Sequence, residues 1–179
     1  MNTRIQHFSG TFSTPADDTQ YNIGDEVASS ATAGSVVRAV FPLGGKRWFN
    51  VLRAYMSIVP AAGSLVITAC DLALLVYKTD EVIAAIGDNK ALVVPSTSRI
   101  LAAKFNFVNG AWTQPTGAVT AGTSGYQEVL SAVGTRGNGF EFVGGETESV
   151  TAVVQAIATW NAGAQVQAFT IGLDIESPR

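Results

Sequence analysis

After Ser35 the chain runs in short β-branched and apolar stretches broken by Gly, Pro and Asn. Where apolar and polar residues alternate, successive side chains fall on opposite faces of a strand; a helix would repeat every three to four residues. Val36–Phe41 reads as a strand closed by Pro42-Leu43-Gly44-Gly45. Trp48–Val59 reads as the next. Trp48, Leu52, Ala54, Met56 and Ile58 fall on one face, and Phe49, Val51, Arg53, Tyr55 and Ser57 on the other. Its first half also fits a helix through Trp48, Leu52 and Tyr55. Pro60-Ala61-Ala62-Gly63 then turns into Leu65–Tyr77, which is apolar on both faces. Such a run suits a strand buried from both sides or covered by another subunit, and its length suggests a bulge near Asp71.

One short helix is expected after it. Thr79 can cap the start, Asp80 and Glu81 suit its positive first turn, and Gly87 can end it in a left-handed conformation. Val82, Ile83 and Ile86 would form its apolar side. Arg99–Gln114 carries a hairpin signature, Asn109-Gly110 between two β-like runs, which sets Phe107 opposite Trp112. A Gly/Thr-rich loop from Pro115 to Gly125 precedes expected strands at Gln127–Val133 and Phe140–Val143. Ser149–Trp160 fits either period, and its Val, Ile and Thr content favours a strand. In Gln165–Glu176, Gln167, Phe169, Ile171, Leu173 and Ile175 alternate with Ala168, Thr170, Gly172 and Asp174, as in a half-buried strand. Many strands with turn signals between them, and no regular β-α alternation, predict an all-β sandwich of jelly-roll type.

Residues Met1–Gly34 look different. They are rich in Thr, Ser, Asp, Asn and Gln, with Ile5, Phe8, Phe12, Tyr21, Ile23 and Val27 irregularly spaced. The expected organisation is therefore an extended N-terminal arm over 1–34 and a β-sandwich over 35–179. Phe8, Phe12 and Tyr21 are the candidate partner-docking residues of that arm.

Composition narrows the function. Of 179 residues 47% are hydrophobic but only 14% charged, and the net charge is −3. Phosphate-backbone binding needs clustered Lys and Arg, yet from Phe105 to Pro178 the only basic residue is Arg136. Nucleic acid is not an expected partner. The start, MNTRIQHFSG, lacks the apolar core of a signal peptide, and the most apolar stretch, Leu65–Val76, falls short of the ~20 residues that cross a bilayer. A soluble protein with no membrane partner is expected. Cys70, the single cysteine, reads as a small buried hydrophobe.

Chemistry is sparse. The single histidine, His7, falls in the expected arm, so no catalytic triad or histidine-based metal site is expected around it. Glu141, Glu146 and Glu148 lack the spacing of a calcium loop. Asp71 and Asp174 each interrupt an apolar strand and are candidates for a carboxylate pair of the glycosidase kind. The favoured reading of each is a carboxylate at a strand end or bulge, paired with an arginine such as Arg53. No glycine-rich nucleotide loop is present, since Gly44-Gly45-Lys46 lacks the spacing that must precede it. No catalytic residue, cofactor or metal ligand is therefore assigned.

The low charge, the Ala/Gly/Thr-rich β texture and the polar amino terminus resemble the accessory structural proteins of tailed-bacteriophage virions, capsid decoration (cement) proteins above all. Tyr55-Met56-Ser57-Ile58, Gly63-Ser64-Leu65-Val66-Ile67 and Gln167–Asp174 are similar in texture to viral jelly-roll strands. The resemblance implies a non-enzymatic protein of the virion, assembled in the host cytoplasm. It would form a homo-oligomer, with a trimer as first expectation, and brace the major capsid protein or other virion subunits. The alternative is a carbohydrate- or receptor-binding β-sandwich of a tail fibre or lectin-like protein, in which Trp48, Trp112 or Trp160 would stack on sugars.

Overall fold

The computed structural model describes residues 3–16, 20–32, 38–43, 48–60, 71–78, 87–92, 101–108, 125–130, 139–141, 149–161 and 166–178. Within them are twelve strands: β1 (Thr3–Ser13), β2 (Gln20–Tyr21), β3 (Glu26–Val27), β4 (Ala39–Pro42), β5 (Trp48–Pro60), β6 (Leu72–Lys78), β7 (Leu101–Phe107), β8 (Gly125–Leu130), β9 (Gly139–Glu141), β10 (Ser149–Ala156), β11 (Trp160–Asn161) and β12 (Gln167–Pro178). The first sheet runs β1-β12-β5-β8, with β9 also on β5. The second runs β3-β10-β6-β7, with β4 also on β10. A small ribbon joins β2 to β11.

All these pairs are antiparallel, and the long-range ones nest. β1 pairs with β12, β3 and β4 with β10, β5 with β8 and β9, and β6 with β7. The chain is thus one long hairpin centred on β6–β7. It is rolled until β12 meets β5 and β10 meets β6. That nesting is the jelly roll, two Greek keys in two packed sheets. Between the sheets Phe169, Ile171, Leu173, Met56 and Ile58 meet Leu72, Leu74, Val76, Phe107 and Val154, all buried.

Several expectations need correction. The stretch 1–34 is not an arm beside a sandwich, for it contributes strands to both sheets. β1 pairs with β12 over its whole length, from Thr3↔Pro178 to Ser13↔Ala168. Its inward residues are Gln6, Phe8, Gly10 and Phe12, and this alternation escapes a hydrophobicity count because two of the four are not apolar. Gly10 is required there: a Cβ would lie 2.6 Å from Ala39 Cβ, on the strand that closes the sandwich edge. Residues 20–30 are tied down by a loop at 87–92. Asp88, 1% exposed, accepts hydrogen bonds from the Tyr21 hydroxyl at 2.8 and 2.9 Å and from the Ala28 amide at 2.7 Å.

The faces of β5 also differ from the simple alternation. Phe49 and Val51 are buried together with Ala54, Met56 and Ile58. The register against β12 passes from Asp174↔Arg53 to Ile175↔Val51, leaving Leu52 as the extra residue of a β-bulge. One inserted residue reverses the phase, so Phe49 and Val51 turn inward. A second register shift lies between Val76 and Tyr77 of β6 against β7, while residues 61–70, which precede Asp71 in the run expected to bulge, lie outside the described residues.

Leu72–Tyr77 is buried on both faces, within this chain alone. Leu72, Leu74 and Val76 enter the main core, while Ala73, Leu75 and Tyr77 join Leu92, Val153 and Ile157 in a smaller cluster behind the second sheet. No second subunit is needed to cover this stretch. Gly87 has the left-handed φ expected of it, +112°, but residues 79–86 of the expected helix lie outside the described residues. So do the Asn109-Gly110 turn, Trp112, Cys70, Glu146 and Glu148. No described residue is helical.

Candidate functional site on the outer face of the first sheet

With Phe8, Leu173 and Ala54 turned to the core, their strand neighbours point outward. Three strands then align three rows on the open face. His7, Asp174 and Arg53 form one row, Ser9, Gly172 and Tyr55 the next, and Thr11, Thr170 and Ser57 the third. Across strands the spacing is ~4.8 Å and between rows ~6.8 Å, so the nine positions cover roughly the area of one or two sugar rings.

The first row is an ionic cluster. Asp174 is held between Arg53, which donates to its Oδ2, and His7, whose Nδ1 lies 2.5 Å from Oδ1. The Asp174 side chain is 4% exposed and that of His7 70%. A carboxylate sealed this well persists beside charge-assisted partners because desolvation otherwise disfavours its charge. The expected pairing of Asp174 with Arg53 at a bulge is what the structure has. Missing from that expectation was His7, which is not in a loose arm but fixed on β1. No local sequence signal could bring residues 7 and 174 together; only the strand register does.

An imidazole beside a carboxylate supplies two of the three groups of a hydrolytic triad. Among the described residues the one hydrogen bond of the imidazole goes to Asp174, and no nucleophile hydroxyl joins it. Asp71 does not complete a carboxylate pair, since it precedes β6 in the second sheet and the core separates it from Asp174. Among the described residues no three His, Cys, Asp or Glu side chains gather as metal ligands.

The second row carries the least expected geometry. A Cβ on Gly172 would lie 1.7 Å from Tyr55 Cζ, 1.9 Å from Cε1 and 2.2 Å from the hydroxyl oxygen. In the ring plane one of those neighbours would be nearer than Cζ, so the Gly172 Cβ position lies over the ring face. Tyr55 therefore lies flat across the Gly172 backbone, a close approach only glycine permits. Tyr55 itself is half-buried.

The expected docking residues are placed elsewhere. Phe8 and Phe12 are partly buried against the core, Phe8 with its ring 5.8 Å from Phe41 and Phe12 stacked 4.9 Å from Phe169. Tyr21 is buried and stacked on Trp160 at 5.1 Å. These contacts are internal, which corrects their assignment to an external surface. Trp160, buried with them, is likewise withdrawn as a sugar platform, while the side chains of Trp48 and Trp112 lie outside the described residues.

Behind the second sheet, Arg38 donates from Nε and Nη2 to Glu26 Oε1, at 2.9 and 2.7 Å. Glu26 Oε2 is buried with no hydrogen-bond partner among the described residues. Beside the pair a cavity of about 10 Å³, lined by Phe12, Ala28 and Val154 among others, has room for one water molecule.

No protein family and no curated protein matches the chain. Solved structures with similar architecture include the decameric capsid protein of BFDV, at 8% identity and a TM-score of 0.39, covering 99% of this chain and 100% of that one. The capsid of the Macrobrachium rosenbergii nodavirus matches at 14% identity and a TM-score of 0.29, covering 99% and 96%. Turnip yellow mosaic virus matches at 8% identity and a TM-score of 0.27, covering 96% and 80%.

Proposed function

We propose that this chain is a non-enzymatic structural protein of a virus particle, acting as a capsid decoration protein that braces adjoining capsid subunits. The observation that carries this reading is the nested strand pairing, a jelly roll whose two sheets close on an apolar core. Such a body offers faces and edges for contact with neighbours. Sparse charge keeps those faces cheap to desolvate. Ile5 and Val59, both exposed, flank the open face of the first sheet, and Val40 is exposed on β4. A protein that binds the assembled shell in preference to free subunits stabilises it by mass action, and many weak copies add through multivalency. A homo-oligomer, with a trimer as first choice, multiplies the contacts that each unit makes.

The test is co-sedimentation with particles. The tagged chain is produced together with the major capsid protein from the same source, and shells are banded on a gradient. Occupancy at fixed stoichiometry, with shells surviving higher temperature than bare ones, supports the proposal. A chain that stays at the top of the gradient, or binds without raising shell stability, overturns the bracing role. Light scattering reporting a monomer at micromolar concentration would remove the trimer.

A further inference from the structure

We propose that the Tyr55 platform on the first sheet binds a neutral sugar, a pyranoside whose apolar face stacks on the tyrosine ring. This proposal does not depend on the decoration role.

Three observations carry it. First, the ring lies flat over Gly172, so one face rests on backbone and the opposite face is directed away from the sheet. Aromatic rings presented in this way give apolar contact with a polar handle at the edge, here the hydroxyl. Second, the neighbours that reach the surface of the three-by-three array can form hydrogen bonds: Ser9, Thr11, Thr170 and Ser57 with hydroxyls, and His7 and Arg53 in the ionic row. A polyhydroxylated ring matches that rim, since each sugar hydroxyl both donates and accepts. Third, the charge is compensated locally. Asp174 is nearly sealed between Arg53 and His7, and the other two rows carry no charge on β1, β12 or β5. The Tyr55 row continues onto β8 at the acidic position Glu128, so the array matches an uncharged ligand rather than a phosphate, sulfate or carboxylate. The bracing of both partners matters for affinity, because an already ordered side chain loses less freedom on binding.

A protein surface is the competing occupant, and the chemistry favours it less. Protein contacts of useful strength centre on a desolvated apolar anchor, whereas here the exposed apolar residues Ile5 and Val59 stand outside the array.

The test uses the whole chain. Methyl glycosides of glucose, galactose, mannose and N-acetylglucosamine are titrated singly and followed by saturation-transfer and amide-shift NMR, with a glycan array covering longer chains. At least one neutral sugar should bind and shift the amides of Ser9, Ser57, Thr170 and Gly172. Two substitutions remove the platform by different routes. Tyr55→Ala deletes the ring. Gly172→Ala keeps the tyrosine but displaces it, since the clash falls on the movable end of the side chain. Each should weaken binding by tenfold or more with the circular dichroism spectrum unchanged, while Tyr55→Phe stays within a few-fold of the native protein. If either alanine variant fails to fold, the other decides. Binding of no neutral glycan overturns the proposal. So does binding confined to sulfated or sialylated chains and abolished by salt, or binding indifferent to both substitutions. Self-association lost on Tyr55→Ala without any sugar contact would assign the face to a second copy instead. None of these readouts involves particles, so their failure leaves the decoration role standing.

Discussion

Replacing Arg38 by methionine should be among the most damaging single changes in this protein. Glu26 is 1% exposed, and both nitrogens that reach it from Arg38 share one carboxylate oxygen. The two residues join the strands that share an edge of β10: Glu26 lies on β3, and Arg38 immediately precedes β4. Methionine fills much of the arginine stem's volume but leaves a carboxylate in an apolar site without its cation. Removing one partner of a buried pair costs ~3–5 kcal/mol, most of it the stranded charge. A domain of this size is held by ~5–15 kcal/mol in all. At ~2–4 °C per kcal/mol, the melting temperature should fall by about 6–20 °C. Urea unfolding followed by circular dichroism measures the loss directly. Adding Glu26→Leu to Arg38→Met should recover most of it, because an apolar pair of similar volume has no charge to strand. A loss below about 1 kcal/mol for Arg38→Met, or a double variant worse than the single one, would refute the reasoning.

Deleting residues 1–13 removes β1, strips the ladder along β12 and uncovers Phe169 beneath Phe12; we expect a chain with no cooperative melting transition, and one that still melts within a few degrees of the native protein would return β1 to an arm. Gly10→Ala should cost ~1–3 kcal/mol by calorimetry, because the Ala39 Cβ it meets cannot rotate away and the sandwich edge must open, so an unchanged melting temperature would disprove that contact. Burial pushes the Tyr77 hydroxyl above its ordinary value of 10.0, with Arg38 opposing and Glu26 adding. The unfolded chain then loses this proton first, so the contribution is whole below pH 10 and is lost as pH rises through the raised value. Denaturation midpoints measured on the alkaline side should fall more steeply for the native protein than for Tyr77→Phe, and parallel profiles would contradict the assignment.

How legible this molecule was in its sequence differs from strand to strand. β12 was plain, because Phe169, Ile171, Leu173 and Ile175 alternate without interruption and all point inward. β6 was plain as a strand but not as to its cover, since apolar residues on both faces do not say whether a second layer or a second subunit hides them. β1 was missed because its inward side is Gln6, Phe8, Gly10, Phe12. The glycine there answers to Ala39, twenty-nine residues away, and not to any local preference. On β5, Leu52 looked like one more core position. A bulge is set by the partner strand, so the inversion of Phe49 and Val51 could not be read from β5 alone.

The candidate site divides in the same way. Residue types and alternation were enough to determine an all-β sandwich, a low-charge surface and an aspartate at position 174 needing a cation, because these follow from local periodicity and solvation. That His7 supplies a second partner to Asp174, and that Tyr55 rests on Gly172, was decided only by tertiary structure. Both depend on the register of β1 and β5 against β12, pairings that span more than a hundred residues of chain. A register is selected by the packing of whole faces against the opposite sheet, and a slip of one residue would turn every one of those side chains to the other face. Periodicity therefore specifies which residues can share a face, whereas only the closed sandwich specifies which of them meet.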